Sequence, residues 1–192
     1  MTKYGFYYDA DNCIGCHTCQ VACKDTNRLK VGENYRSVST YCGGSGWDLF
    51  LYHTSISCNH CDEPACAAVC PNGAIVKRED GLVVVDKAAC KGCGTCVPAC
   101  PYGSIVMIAD EGFVDKCDGC MTLREQGELP ACVASCPQRV LEFGDIEELR
   151  AKHADEELVC EVAASPKAAT KPNLLINAKP CMFEEDFEPY VI

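Results

Sequence analysis

The 192-residue sequence has no apolar run long enough to cross a membrane as a helix. About eighteen uncharged apolar residues are needed for that, and the longest apolar runs here, such as residues 82–85, have the length of a strand. Basic residues are also few, since 17 Lys and Arg stand against 28 Asp and Glu for a formal net charge of −11. Nucleic-acid binding needs a concentrated positive face, so the composition argues against that function.

The first residues contain no apolar stretch of signal-peptide length, so we expect no export signal on this chain. Disulfide scaffolds are typically short and secreted, and the cysteine count of nineteen is odd, which disfavours a disulfide framework. Cysteine nevertheless makes up about a tenth of the residues, a proportion that points to either disulfides or metal. The composition therefore favours metal binding.

Sixteen of the cysteines fall into four groups along the chain. They are Cys13, Cys16, Cys19 and Cys23 in group one, Cys58, Cys61, Cys66 and Cys70 in group two, Cys90, Cys93, Cys96 and Cys100 in group three, and Cys117, Cys120, Cys132 and Cys136 in group four. Cys42, Cys160 and Cys181 have no such neighbours, and we assign them no role.

The spacing C-x2-C-x2-C-x3-C, present in groups one and three, is typical of cubane iron-sulfur ligands. A tight loop curls three thiolates around one cluster, and the fourth cysteine starts in a new direction and reaches another cluster. Structural zinc also uses C-x2-C pairs but has no need of triplets. A zinc scaffold is therefore the weaker alternative.

An internal repeat indicates how the groups pair. Residues 70–76 and 100–106 match at five of seven positions, and both begin with Cys-Pro-x-Gly. Each copy predicts a small hairpin, 74–77 with 82–86 and 104–108 with 113–115. Groups two and three thus resemble a two-cluster ferredoxin, and groups one and four are left to enclose them as a second pair.

We expect the two groups of each pair to exchange their fourth cysteines, which predicts four [4Fe-4S] clusters. The predicted ligand sets are Cys13, Cys16, Cys19 and Cys136 at site A, Cys23, Cys117, Cys120 and Cys132 at site B, Cys58, Cys61, Cys66 and Cys100 at site C, and Cys70, Cys90, Cys93 and Cys96 at site D.

The expected fold class is α+β, with two ferredoxin-like halves, small β-hairpins and short helices. We predict an outer half at 1–23 plus 111–144, an inserted hairpin at 24–57, an inner half at 58–110, and a C-terminal helix with a wrapping tail at 145–192. The β-prone segments 6–9 and 140–143 are predicted neighbours. Trp47 and Tyr52 are expected in the core of the inserted hairpin, with docking of a partner as the alternative.

Other residues near the groups are given ordinary roles. His17 and His60 are expected to face solvent or form hydrogen bonds, because the full set of cysteines leaves no ligand position vacant. Charged side chains near the groups could raise cluster potentials but are interpreted as ordinary solvated residues; they are Lys24, Arg28, Lys77, Arg78, Lys87 and Lys91.

Several short motifs around the groups resemble a known family. They are Tyr-Gly-Phe-Tyr at 4–7, Ser-Cys-Asn-His-Cys at 57–61, Lys-Arg-Glu-Asp-Gly at 77–81, Lys-Cys-Asp-Gly-Cys at 116–120, Phe-Gly at 143–144 and Glu-Leu-Arg at 148–150. With the four groups in this order, the chain resembles the iron-sulfur subunits of the dimethyl sulfoxide reductase family of molybdopterin oxidoreductases.

The resemblance implies an electron relay without catalytic activity of its own. Electrons would pass between a quinol-oxidising membrane anchor and a catalytic subunit that carries molybdenum or tungsten bis-pterin. In some relatives the second position of group three is Trp and that cluster is [3Fe-4S]; Cys93 stands there in this chain, so four complete cubanes are expected. The substrate of the complex would depend on the partner.

A free polyferredoxin is the alternative function, in which the acidic charge would steer association with basic partners. No constellation of acid, base or nucleophile apart from the ligands suggests an enzyme. Analogy with the family places the chain at the membrane through its partners, on the outer face after export together with the catalytic subunit. A cytoplasmic location is the alternative.

Overall fold

The computed structural model describes residues 2–108, 110–167 and 169–190. Its strands are β1 (Tyr4–Asp9), β2 (Arg36–Gly43), β3 (Phe50–Ser57), β4 (Ile75–Lys77), β5 (Val83–Val85), β6 (Val106–Ile108), β7 (Phe113–Asp115), β8 (Leu141–Asp145), β9 (Leu158–Val159), β10 (Leu174–Asn177) and β11 (Phe187–Tyr190). Its helices are α1 (Thr18–Thr26), α2 (Ala65–Ala68), α3 (Cys96–Ala99), α4 (Met121–Glu125), α5 (Ala131–Ala134), α6 (Ile146–Lys152) and a 3-10 turn at Pro180–Phe183. Short helices and small sheets confirm the predicted α+β class.

Both hairpins predicted from the repeat are present. Strand β4 pairs antiparallel with β5, and β6 pairs antiparallel with β7. Gly81 and Gly112 make the two reversals with φ angles of 81° and 72°, in the left-handed region that glycine enters without a steric cost. Local turn chemistry therefore decides this part of the fold.

The predicted pairing of 6–9 with 140–143 is also confirmed, since Phe6 lies opposite Phe143 in an antiparallel ladder of β1 and β8. The sheet then continues in the order β8-β1-β10-β9. Strand β10 comes from the C-terminal tail and runs parallel to β1. Its residues Leu174, Leu175 and Ile176 are buried.

The predicted C-terminal helix is present as α6. The Asp145 carboxylate caps it by accepting hydrogen bonds from the backbone N–H groups of Glu147 and Glu148. The tail beyond it packs back on the rest of the protein, because β10 joins the four-stranded sheet and β11 pairs with β2.

The inserted segment forms the hairpin of β2 and β3. Tyr52 is fully buried, with its ring 5.2 Å from that of Tyr41, as expected for a core residue. The expectation for Trp47 is wrong, because its side chain is fully exposed in the loop between the strands. In the residues described, no helix is long and apolar enough to cross a membrane.

Candidate metal centres

Four cysteines from groups one and four line one cavity. They are the predicted site A ligands Cys13, Cys16, Cys19 and Cys136, around a space of about 330 Å3 that is partly open to solvent. Gly15 turns the loop with a φ of 63°, and a Cβ there would come within 2.4 Å of the His53 ring. The loop therefore needs glycine to bring its thiols around the cavity.

Four cysteines from groups two and three line a second cavity. They are the predicted site C ligands Cys58, Cys61, Cys66 and Cys100, and the space is about 350 Å3. Val83 and Ile105 contribute apolar walls, and Lys116 and Thr170 contribute polar groups. Four sulfur donors around one space fit the donor set of a [4Fe-4S] cluster.

The cysteines of the other two predicted sets line neither of these cavities, but several of them influence one another's pKa values. Burial and then the nearby thiolates of Cys132, Cys120 and Cys19 raise the pKa of Cys23 to about 12, and burial with Cys23 and Cys132 raises that of Cys117. Cys23 thus lies within electrostatic range of Cys120 and Cys132, and Cys117 within range of Cys23 and Cys132; Cys19 of site A and Cys58 of site C act on them as well. No group of three or more His, Cys, Asp or Glu is arranged for a single metal ion in the described part of the chain.

At site D the pKa of Cys96 is raised, first by burial and then by the thiolates of Cys70, Cys90 and Cys93. The side chain of Cys93 is exposed, and the Thr95 hydroxyl donates a hydrogen bond to its sulfur at 3.4 Å. The predicted site D cysteines Cys70, Cys90 and Cys93 thus lie within electrostatic range of Cys96, and Cys93 is at the protein surface.

The Cys-Pro-x-Gly turns explain how the fourth cysteine of a group is oriented. The N–H of Gly73 donates to the Cys70 carbonyl, and the Ala74 N–H then donates to the Cys70 sulfur at 3.2 Å. The second copy repeats both contacts, with the Ser104 N–H 3.4 Å from the Cys100 sulfur. Each turn therefore fixes a thiol and supplies a hydrogen bond that stabilises negative charge on it.

Two buried cations stand near the thiols, and sequence reasoning gave neither a role. The Lys116 ammonium lies 3.2 Å from the Cys58 sulfur. The Arg36 guanidinium donates to the Ser55 hydroxyl at 3.0 Å, and that hydroxyl lies 3.3 Å from the Cys19 sulfur. A signal was available for Arg36, which shares the buried face of β2 with Val38 and Thr40 in strict alternation.

Lys77 differs from the expectation of an ordinary solvated residue. Its ammonium donates to the carbonyl oxygens of His60, Cys61 and Gly81 at 2.8 to 2.9 Å, and so fixes the loop of group two. His60 is buried and forms a hydrogen bond, as expected, because its Nδ1 accepts from the Val83 N–H at 3.1 Å.

The environment of Cys58 favours a thiolate. Burial alone would raise its pKa, but the Lys116 ammonium and His60 lower the pKa of Cys58 to about 5. Thiolates are the form that binds iron. None of Cys42, Cys160 and Cys181 lines either four-cysteine cavity.

Comparison with known proteins agrees with this chemistry. Residues 49–146 match a family described as a 4Fe-4S dicluster domain, and residues 4–25 match a 4Fe-4S binding domain. The probable anaerobic dimethyl sulfoxide reductase chain YnfG of Escherichia coli is 49% identical over 185 residues, which cover 92% of this chain and 89% of the relative. A chain of the anaerobic dimethyl sulfoxide reductase of Haemophilus influenzae is 42% identical over 187 residues, covering 92% and 90%.

A further relative is the thiosulfate reductase electron transfer subunit PhsB of Salmonella typhi, which is 37% identical over 149 residues, covering 76% of this chain and 78% of the relative. The two iron-sulfur matches confirm 4Fe-4S domains of the ferredoxin type, and the long, strong matches confirm the resemblance stated from the motifs. The chain therefore belongs to the family of iron-sulfur electron-transfer subunits of the anaerobic dimethyl sulfoxide reductases and their relatives.

Proposed function

We propose that this chain holds four [4Fe-4S] clusters and relays electrons between a quinol-oxidising membrane anchor and a molybdopterin catalytic subunit. Each cluster supplies one-electron redox chemistry when bound. The single observation that carries the proposal is that the predicted site A cysteines and the predicted site C cysteines each line one cavity, and the pKa couplings among the remaining cysteines support sites B and D.

The helices of the four groups give the sites an order. Cys19 and Cys23 are four residues apart and therefore lie on the same face of helix α1, one turn from each other. Cys19 is the ligand for site A, and Cys23, one turn later, is the ligand for site B. Helix α1 packs against α5, and α2 packs against α3. Sites A and B therefore form one pair and sites C and D another, which supports the division into the outer half 1–23 plus 111–144 and the inner half 58–110.

The exposure of the ligands suits a relay across the subunit. Cys16 at site A and Cys93 at site D are exposed, whereas Cys58 at site C and Cys117 at site B are buried. Electrons would thus enter and leave at sites A and D, and sites B and C would be shielded from solvent. The chain itself would perform no catalysis.

The partners are inferred from the relatives. Several of them are named as one chain or one subunit of a reductase, which implies a complex with further chains, and one is named an electron transfer subunit. Attachment to the membrane would come through these partners. The outer face is the proposed side, with the catalytic subunit providing the export signal.

Metal and partner analysis after anaerobic purification tests the function. We expect about sixteen irons and as many sulfides per chain, no stoichiometric zinc, and a large molybdopterin subunit in the same fraction. Sixteen irons on a chain that purifies alone and stays redox-active would support a free polyferredoxin. Zinc without sulfide would contradict cluster binding altogether.

The ligand sets are tested by changing one cysteine of site A. Cys136→Ser should abolish or convert the cluster at site A and leave sites B, C and D intact, because Cys136 lines only the site A cavity of the two. Iron content and the number of paramagnetic signals after reduction report the loss. Cys160→Ser is the matched control and should keep the full iron content; four unchanged clusters in the Cys136 variant would contradict the ligand sets.

A further inference from the structure

Lys116 lies at the boundary between the two pairs of sites. Its three ammonium protons meet three acceptors, which are the Cys58 sulfur at 3.2 Å, the Cys117 carbonyl at 3.0 Å and the Val83 carbonyl. Cys58 belongs to site C, and Cys117 belongs to site B. One side chain therefore touches both halves of the molecule.

The charge of Lys116 is buried without a carboxylate. The residue is only 2% exposed. In residues 2–108, 110–167 and 169–190, no Asp or Glu lies within ion-pair distance of its ammonium. A buried charge is tolerated only when it is paired and hydrogen-bonded. The negative charge that pairs with Lys116 must therefore come from the cysteine sites on either side of it.

We propose that Lys116 is a positioning residue that raises the reduction potentials of the clusters at both site B and site C. The inference rests on the proposed function, since it needs clusters at these two sites. It goes beyond that function because it assigns the electron affinity of sites B and C to one side chain.

The effect follows from the charge balance of reduction. One electron enters a site, no bond forms or breaks, and the site becomes one unit more negative. A fixed positive charge in a medium of low dielectric constant stabilises this reduced form more than the oxidised one. Because the same ammonium acts on both sites, it raises both potentials.

Exposed lysines do not have this effect to the same degree, because water and salt screen them. Lys91 provides a natural comparison, since it also adjoins a predicted ligand, Cys90 at site D, but is exposed. Both lysines are next to a predicted ligand in the sequence, and Lys116 differs from Lys91 in that it is buried.

The experiment is a redox titration of the full chain with its partners, followed by electron paramagnetic resonance. Lys116→Met and Lys116→Gln remove the charge, and Gln retains a hydrogen-bond donor; Lys116→Arg retains the charge. In the Met and Gln variants we expect the equilibrium constants for reduction of two of the four clusters to fall about tenfold, which corresponds to about 59 mV for a one-electron step. The Arg variant and the control Lys91→Met should titrate like the wild type.

The possible results separate this inference from the proposed function. Four clusters with unchanged potentials in the Gln variant would overturn the role of Lys116 and leave the relay standing. Fewer than four clusters in the wild type would count against the relay itself. If the Met variant loses iron, the potentials of the Gln and Arg variants decide whether the charge of Lys116 matters. Loss of iron from all three variants would show that Lys116 acts through packing, and the inference would be wrong.

Discussion

Arg36 extends the electrostatic argument at the scale of single residues, because it reaches a predicted ligand through a hydroxyl. Its guanidinium donates to the carbonyl and hydroxyl of Ser55 and to the hydroxyl of Ser57, all at 2.9 to 3.0 Å. The Ser55 hydroxyl can then donate its own proton to the Cys19 sulfur, 3.3 Å away. Hydrogen bonds to ligand sulfurs raise the potential of an iron-sulfur cluster.

Ser55→Ala should therefore make one of the four midpoint potentials, that of site A, more negative. Ser57→Ala is the matched control, since it also removes an acceptor of Arg36 but no contact to a ligand sulfur that the structure describes. Both variants should lower the free energy of unfolding by about 1–3 kcal/mol, because a buried donor loses its partner. Equal potentials in the two variants, measured by redox titration, would contradict a donor role for Ser55.

At the scale of elements, the ladder of β1 and β8 contains a pair of opposed glycines with different surroundings. A Cβ on Gly5 would lie 2.5 Å from Ile146 Cδ1 and 2.6 Å from the Asn173 carbonyl oxygen. A Cβ on Gly144, its partner in the register, would be 3.7 Å from the nearest atom, on Leu149. Ile146 of helix α6 and Asn173, just before strand β10, thus approach β1 closely where Gly5 leaves room.

Gly5→Ala should lower the free energy of unfolding by about 1–3 kcal/mol through overpacking. Gly144→Ala should change it by less than about 0.5 kcal/mol, because the new methyl group makes ordinary contacts. Chemical denaturation of the cluster-loaded protein followed by circular dichroism measures both. Equal stability of the two variants would show that α6 and β10 can move away from β1 at little cost.

The elements also show how far sequence reasoning reaches. The hairpins of β4 with β5 and β6 with β7 were predictable because a turn and a repeat specify each of them locally. The insertion of β10 beside β1 was not predicted, since its pairing is parallel and joins residues about as far apart as the chain allows. Trp47 was misplaced because an aromatic residue in a glycine-rich loop carries no periodicity that shows which way it faces.

The cysteine sites, like the strands, were predictable only where the sequence specifies them locally. The C-x2-C spacing predicts that the thiols of one loop share a site, and Cys13, Cys16 and Cys19 do line one cavity. The pair of Lys116 and Cys58 could not be predicted, as the two residues are 58 positions apart and meet only after the halves pack together.

At the scale of the whole molecule, the C-terminal tail contacts both the loop of group two and the strand that precedes group one. The Asn173 N–H donates to the Asn59 carbonyl at 2.9 Å, and the Asn173 amide donates to the His60 carbonyl and to Asp62 at 2.8 and 2.9 Å. These contacts reach the group two loop of the inner half. The strand that follows Asn173 pairs with β1, which leads into group one.

The tail is therefore expected to be required for holding the clusters. A protein that ends at residue 169 loses β10 and the burial of Leu174, Leu175 and Ile176, which together contribute about 5–9 kcal/mol. That loss is comparable with the whole stability of a typical domain. After anaerobic purification of this truncated form, little of the soluble protein should carry the full set of about sixteen irons.

A form that ends at residue 185 is the control for this truncation. It loses residues 186–192, which include the edge strand β11 with three exposed residues of four, and keeps β10 in place between β1 and β9. It should retain the iron and sulfide content of the full chain. Full iron content in the form ending at 169 would mean that the cysteine sites hold the two halves together by themselves, because four clusters would then provide the cross-links that the structure assigns to β10.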